Sequence, residues 1–179
     1  MPREVWGQII SIIGMVLTIL SFQLKTRKQI FFLQTAGTLF FLISFILLGS
    51  HTAAYLNVVF LFRNVIFYFA ENKRWAHHPV CFALILIAVI GVGFYGFKSF
   101  WDIFAIIGSV FGTIAMYMKN ENMLRILKLG DSPCWLVYNL FVPSLGGVIC
   151  EVFNITSIII SIIRYKSNGF SKGREEKKR

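Results

Sequence analysis

The uncharged stretch Val80–Phe97, VCFALILIAVIGVGFYGF, divides the chain into two similar parts. Three apolar segments precede it and three follow it, and Ile12-Ile13-Gly14 returns 94 residues later as Ile106-Ile107-Gly108. Three membrane crossings reverse the direction of a chain, so one extra crossing lets the second set run parallel to the first. The pattern predicts two parallel repeats, as in some transporters. Further pairs at this offset are Val16 and Val110, Lys25 and Lys119, Leu33 and Leu127, Leu42 and Leu136, and Ser50 and Ser144.

The composition is that of a membrane protein. Hydrophobic residues make up 56% of the chain and charged residues 15%, against roughly 25% charged residues in soluble domains. A spanning helix needs about 20 apolar residues, so seven spans use almost the whole chain. We predict an all-α integral membrane protein with seven transmembrane helices, placed at about 7–24, 29–49, 52–70, 80–97, 101–118, 123–142 and 144–164.

These spans give four segments. Residues 1–70 form the first three-helix repeat, 71–99 a cytoplasmic loop and the linker helix, and 100–166 the second repeat. Residues 167–179 are predicted to be a disordered, basic cytoplasmic tail. Within the sixth span, Pro133 is predicted to kink the helix or to restart it.

The basic residues predict the orientation. With seven spans, Arg3 and Lys98 lie on one side, fifteen Lys and Arg residues lie on the other, and only Arg63 lies within the membrane. The positive-inside rule then places the N-terminus outside and the C-terminus in the cytoplasm. The net charge of +10 is explained by this placement, so no nucleic acid is expected as a partner. The apolar N-terminus lacks a small-residue cleavage site and is predicted to be a retained span.

Three ionisable residues, Arg63, Asp131 and Glu151, fall near mid-depth in their predicted spans. Such groups are costly in a membrane and usually face a cavity or a partner. Arg63 is within vertical reach of either acid. Two interpretations stay open: a buried ion pair that locks the spans together, and a site for a polar substrate or a coupling ion.

Amides and aromatic residues complete the candidate substrate site. Asn57, Asn139 and Asn154 offer donors and acceptors to a polar solute, although membrane asparagines also hydrogen-bond between helices. Trp135 and Tyr138 lie one turn apart and are predicted to form an aromatic wall. Cys81, Cys134 and Cys150 show no CxxC spacing, so neither a metal nor a cofactor is predicted. No hydrolytic motif is present, and we predict that the protein is not an enzyme.

The stretch IIGSVFGTIAMYMKNENMLRILK, followed by CWLVYNLFVPSLGGVICEVFN, resembles the YgjV family of bacterial inner-membrane proteins. The likeness covers about residues 5–166 and implies a bacterial inner membrane. The three-one-three layout is more distantly similar to SWEET sugar transporters and other PQ-loop proteins. Those proteins use an asparagine pair on the third and seventh spans, which Asn57 and Asn154 match in type. The residues of the family resemblance are Ile107-Gly108, Arg125, Cys134-Trp135, Asn139, Gly146-Gly147, Glu151, Ile163-Arg164, Leu47-Leu48-Gly49 and Arg63.

The sequence therefore predicts a small-solute transporter of the inner membrane that works by alternating access around a midplane polar cavity. The alternative is a membrane protein of the same fold that binds a partner, or acts structurally, without transport. The expected partners are the lipid bilayer and a small polar solute, and a homo-oligomer is compatible with the sequence.

Overall fold

The chain folds into seven α-helices in a computed structural model that describes residues 2–21, 24, 27–70, 78–118 and 121–176. No β-strand occurs within these ranges. The fold is therefore all-helical, as predicted. The helices are α1 (Arg3–Ser21), α2 (Arg27–Leu47), α3 (His51–Ala70), α4 (Pro79–Tyr95), α5 (Asp102–Tyr117), α6 (Glu121–Phe141) and α7 (Leu145–Glu176).

Local signals set the helix ends. Pro79 stands in the first turn of α4, where its missing N–H is no loss, and His78 Nδ1 accepts from the Val80 N–H at 3.3 Å. Before α5, Asp102 Oδ2 accepts from the backbone N–H groups of Lys98 and Ser99 at 2.8 and 2.7 Å. His78 caps the start of α4, and the Asp102 carboxylate holds the turn that precedes α5.

The turn that ends α2 and the turn that ends α6 have the same hydrogen bonds. The Ser50 N–H donates to Phe45 O at 2.9 Å, and the Ser144 N–H donates to Asn139 O at 3.0 Å. Ser50 and Ser144 are one of the pairs at the 94-residue offset. Gly49 has a φ of +75°, a left-handed value that glycine adopts without steric cost. The sequence correspondence is thus accompanied by a backbone correspondence at these turns.

Six helices form a ring. α1 packs on α2 and α7, α2 on α3, α3 on α5, α5 on α6, and α6 on α7. α4 packs outside this ring against α3 and α5. The ring arrangement positions the candidate site, because one side of each of its six helices faces the interior.

The surface is apolar and the interior is rich in polar groups. Large apolar side chains such as Phe62, Ile87 and Ile160 are 66%, 65% and 58% exposed, which a soluble monomer rarely tolerates over wide areas. Ser44, Asn64 and Thr113, in contrast, are buried. This distribution suits helices surrounded by lipid.

Three helical stretches are long and apolar enough to cross a membrane by length and composition: Arg3–Ser21, His51–Phe69 and Leu145–Ile163. The stretches Phe32–Leu47, Pro79–Tyr95 and Asp102–Tyr117 are apolar and shorter. The prediction of transmembrane helices is supported, and the number of crossings stays a prediction.

Two details differ from the sequence analysis. Of the two effects predicted for Pro133, a restart of the sixth helix is wrong, because α6 is continuous through Pro133, and a kink stays a prediction. A proline removes one N–H from the helix, a loss that neighbouring helices can compensate in a membrane protein. At the C-terminus, α7 continues to Glu176, although a disordered tail is predicted from residue 167. Helix propensity does not explain this extension, because the good helix formers Lys172, Arg174, Glu175 and Glu176 are offset by Gly169 and Gly173.

Part of the orientation prediction concerns residues outside the described ranges. These are Lys25, Lys73, Arg74, Lys119, Lys177, Lys178 and Arg179.

Candidate functional site

A cavity of about 670 Å³ lies inside the ring of six helices. Its lining comes from α1, α2, α3, α5, α6 and α7, together with Met118 just after α5, and includes no residue of α4. The volume falls within the range of about 300–1,000 Å³ that is usual for small-molecule sites. The cavity is the candidate functional site.

Helical periodicity explains which residues line the cavity. On α3, Asn57, Phe60 and Asn64 recur every three or four residues, so they lie on one face. On α7, Glu151, Asn154 and Ile158 follow the same spacing. α6 presents the longest such face, with Leu124, Lys128, Asp131, Ser132, Trp135 and Asn139.

Seven of the eight predicted substrate-binding residues line this one cavity. They are Asn57, Arg63, Asp131, Trp135, Asn139, Glu151 and Asn154. Tyr138 lies outside the lining: it is 1% exposed and its hydroxyl is hydrogen-bonded to Ser50 Oγ. The predicted aromatic wall thus exposes Trp135 to the cavity and has Tyr138 behind it, in an edge-to-face contact at 5.6 Å between ring centroids.

Arg63 is buried and is held by neutral groups. Its Nη1 donates to Thr113 Oγ1 at 3.1 Å and its Nη2 to Asn64 Oδ1 at 3.5 Å. The guanidinium carbon lies 4.2 Å from the centroid of the Phe60 ring, a cation–π arrangement. No carboxylate of the described residues lies within 4.0 Å of it, and Nε has no partner there. The predicted ion pair of Arg63 with Asp131 or Glu151 is therefore not formed.

Asp131 pairs with Lys128 instead. Lys128 Nζ lies 2.5 Å from Asp131 Oδ2, and the two side chains are 35% and 8% exposed. The residues are one turn apart on α6, close enough to pair along one helix face. On its other side, the Asp131 carboxylate packs against Gly112 of α5, where an added Cβ would lie 2.7 Å from Oδ2. A small residue at 112 is what gives this carboxylate its space.

Glu151 has a neutral partner on its own helix, α7. Asn154 Nδ2 donates to Glu151 Oε2 at 3.2 Å. The Oδ1 atoms of Asn154 and Asn139 are buried and have no partner among the described residues. Asn139 packs against Gly147, where any larger residue would meet its amide.

Aromatic rings supply the apolar part of the wall. Phe45 and Phe60 flank Trp135, with ring centroids at 6.3 and 6.0 Å. Phe41 continues this surface beside Phe45 at 6.2 Å. The cavity can thus hold an apolar body next to charged groups.

A family model for bacterial inner membrane proteins, Imp-YgjV, matches residues 5–169, almost the whole length of the chain. The chain belongs to this family. The resemblance predicted from the sequence is confirmed, and so is the bacterial inner membrane. The chain matches no curated protein and no solved structure. The more distant similarity to SWEET transporters stays a prediction.

Several residues that line the cavity were not predicted from the sequence. The 94-residue offset could have identified them, because it pairs them with one another. Asn57 corresponds to Glu151, and Gln34 corresponds to Lys128. For every cavity-lining residue in the first half of the chain, the residue 94 positions later also lines the cavity. These first-half residues are Thr18, Gln34, Thr38, Phe41, Phe45, Asn57, Phe60, Arg63 and Asn64.

The same offset relates the close contact of α1 with α2 to that of α5 with α6. A Cβ added to Gly14 would lie 3.1 Å from Gly37 O, and one added to Gly108 would lie 3.2 Å from Asp131 O. Gly108 lies 94 residues after Gly14, and Asp131 lies 94 residues after Gly37. Their other neighbours, at 2.9–3.3 Å, correspond as well: Phe40 with Cys134, and Phe41 with Trp135.

The two ends of the helix ring differ. At the end nearest Ser50 and Ser144, which we term the tied end, side chains join the two halves of the chain. Gln8 Nε2 donates to Pro143 O, and Gln8 Oε1 accepts from the Leu145 N–H at 2.9 Å. Ser11 Oγ accepts from the Gly146 N–H at 3.1 Å, and Ser50 bonds Tyr138. Towards the opposite end, the cavity continues to Met118 and Leu124.

Proposed function

We propose that the protein is a small-solute transporter that works by alternating access, with α1–α3 and α5–α7 as two parallel repeats joined by α4. One observation carries the proposal: all nine first-half lining residues have counterparts in the lining at one sequence offset. A cavity on an axis that relates two similar bundles can be opened at either end by the same relative movement.

The packing of the helices supports this repeat arrangement. α1 packs on α2 as α5 packs on α6, and α2 packs on α3 as α6 packs on α7. Between the proposed bundles, α1 meets α7 and α3 meets α5, which are again equivalent pairs. A rocking movement would change mainly the contacts between the bundles and leave those within each bundle.

The orientation is part of the proposal. The N-terminus lies outside and the C-terminus in the cytoplasm, as the distribution of basic residues predicts. The tied end then faces outwards, and the end that contains Met118 and Leu124 faces the cytoplasm. In this assignment the described conformation is closed on the outside and accessible from the cytoplasm.

Each predicted site residue has a role in this proposal. Arg63, Asp131 and Glu151 set the electrostatics of the cavity, and Trp135 offers a ring for stacking. Asn57, Asn139 and Asn154 hydrogen-bond the solute. For Tyr138 we propose a role at the tied end, because its hydroxyl bonds Ser50 from the other half of the chain.

Thiol labelling from each side of the membrane tests the proposal without knowledge of the solute. Cys150 lines the cavity and is one of three cysteines, so Cys81→Ser with Cys134→Ser leaves it alone. Because Cys150 is buried, we expect a membrane-impermeant methanethiosulfonate to modify it slowly but to completion from the cytoplasmic side of oriented vesicles. Slower modification is expected from the outside, because alternating access opens the cavity to both sides.

A matched control reports the orientation. Lys98→Cys, in a background with no other cysteine, places a thiol on an exposed residue predicted to be outside. It should react from the outside alone. Modification of Cys150 from only one side, at any time, contradicts transport and favours the alternative of a binding protein with a fixed cavity. That the protein is not an enzyme and binds no nucleic acid stays a prediction. A homo-oligomer is compatible with the proposal but is not part of it.

A further inference from the structure

The cavity contains four charged side chains, and two of them already form a pair. Lys128 and Asp131 are joined at 2.5 Å. Arg63 and Glu151 have no ion partner among the described residues. One positive and one negative charge therefore remain available in the same cavity. Leaving a buried charge without a counter-charge is costly, which favours a ligand that supplies both partners.

The positive charge lies on α3. Thr113 and Asn64, both neutral, each accept one N–H from the Arg63 guanidinium, and its buried Nε–H has no acceptor among the described residues. A guanidinium presents five N–H groups in a planar fork that matches the two oxygens of a carboxylate. Arg63 is thus suited to a carboxylate of the ligand.

The negative charge lies on α7, next to neutral acceptors. Glu151 accepts from Asn154, and the unpartnered Oδ1 atoms belong to Asn154 and to Asn139 on α6. An ammonium group has three N–H donors and no acceptor. The Glu151 carboxylate, which pairs with no cation among the described residues, is the group that such an ammonium needs.

Aromatic rings form another part of the cavity wall, among them Phe45, Phe60 and Trp135. We infer that the ligand is a zwitterion that carries a carboxylate, an ammonium and an apolar side chain, as a neutral α-amino acid does. Its carboxylate binds Arg63, its ammonium binds Glu151, and its side chain packs on the rings. This inference rests on the proposed function, since it names the solute class of the same cavity.

Uptake into proteoliposomes that contain the full-length protein tests the class of solute. The labelled probes are a mixture of amino acids with L-leucine measured separately, the dipeptide alanyl-alanine, succinate, putrescine and glucose. We expect accumulation of amino acids, L-leucine included, and little of succinate, putrescine or glucose, which carry charges of only one sign or none. The dipeptide arm separates free amino acids from short peptides, which have the same two charged ends.

Competition against labelled L-leucine sharpens the test without any mutation. 4-Methylpentanoate lacks the ammonium group of leucine, and 3-methylbutylamine lacks its carboxylate. We expect each of them to compete at least tenfold less well than unlabelled leucine. Equal competition by either analogue overturns the inference, because it shows that one of the two charges is not recognised.

Two variants assign the charges to their residues. Glu151→Gln is expected to raise the leucine concentration for half-maximal uptake roughly ten- to a hundredfold and to make 4-methylpentanoate as effective as leucine. Arg63→Gln is expected to raise the leucine concentration for half-maximal uptake to a similar extent and to make 3-methylbutylamine as effective a competitor as leucine. Glu4→Gln and Lys98→Gln remove equivalent charges from exposed residues and should leave uptake unchanged. A merely structural role of Arg63 or Glu151 would not change which analogue competes.

The outcomes separate the two proposals. Accumulation of succinate, putrescine or glucose without amino acids leaves transport in place and overturns the zwitterion. Accumulation of none of the probes, together with labelling of Cys150 from one side, contradicts both.

Discussion

The contact of α1 with α2 and the contact of α5 with α6 have the same backbone geometry and exchanged side chains. In the first contact, Thr18 of α1 fits against Gly37 of α2, where an added Cβ would lie 2.6 Å from Thr18 Oγ1. In the second, Asp131 of α6 fits against Gly112 of α5. Thr18 corresponds to Gly112 and Gly37 to Asp131. In the first contact the larger side chain is on the first helix of the pair and the glycine on the second, and in the second contact the order is reversed. The space between the helices is therefore preserved.

The exchange shows which properties the halves share and which they do not. The helix faces and close approaches are common to both, whereas the charges are not. Lys128 and Glu151 stand where the first half has the neutral Gln34 and Asn57. A repeated backbone therefore presents different chemistry from each side of one cavity, which a ligand with two unlike ends can use.

The largest expected loss of stability comes from replacing Gly146 by the residue found at the equivalent position of the first half. Its counterpart is Thr52, and Gly146→Thr would drive a side chain into the backbone of Ser11 on α1. We expect the free energy of unfolding to fall by about 3 kcal/mol, measured by titration with SDS in mixed micelles. Gly91→Thr, at a helical glycine with nothing within 4 Å, should change it by less than about 1 kcal/mol. Equal effects of the two substitutions would mean that α1 and α7 are not in close contact.

A smaller decrease in the free energy of unfolding is expected when Lys128 is replaced by glutamine, the residue at the equivalent position 34. Lys128→Gln leaves the Asp131 carboxylate, 8% exposed, without its cation. Because Lys128 itself is 35% exposed, we expect a cost of about 2 kcal/mol, below that of a fully buried pair. Adding Asp131→Asn should restore most of the stability in the same SDS titration. Additive losses in the double variant would show that the two side chains do not interact.

The two equivalent glycines provide a direct comparison of the halves. An added Cβ at Gly108 would lie 2.9 Å from Trp135 Cδ1, whereas the nearest atom at Gly14 is 3.1 Å away. Gly108→Ala should therefore cost about 1–2 kcal/mol, and Gly14→Ala less than about 1 kcal/mol. Unfolding of both variants under identical micelle conditions measures the difference. A larger cost at Gly14 would contradict the tighter packing of the second half.

The smallest effect concerns the tied end. Tyr138→Phe removes the hydroxyl that bonds Ser50 and should cost about 1 kcal/mol. Ser50→Ala should have a similar cost, and the double variant should cost little more, since both remove one hydrogen bond. Tyr95→Phe, on a residue that is 81% exposed, is the control. On the transport proposal, Tyr138→Phe also speeds the modification of Cys150 from the outside.

Much of the fold could be predicted, because apolar stretches, turn residues and caps act locally. Apart from the C-terminal end of α7, the helix bounds lie within a few residues of the predicted spans, and seven of the eight site residues line one cavity. Tyr138 did not, since a helix face turns by about 100° per residue and the sequence alone does not say which direction faces inwards. The Lys128–Asp131 pair was missed because Lys128 was counted among the basic residues of the cytoplasmic side and not as a group within the membrane. A residue one turn from a membrane acid is within its reach, and this spacing could have identified the pair.

The position of α4 has a mechanical consequence. It is fixed on one flank to α3, where Thr52 Oγ1 donates to Gly96 O at 2.6 Å, and on the other to α5, where Gly93 packs against Ile106. Since it lines no part of the cavity, its length and these two attachments matter more than its chemistry. Under rocking, it works as a tether of fixed length that limits the travel of one bundle against the other. On the transport proposal, the extent of the rocking movement is then set by a helix that does not line the cavity.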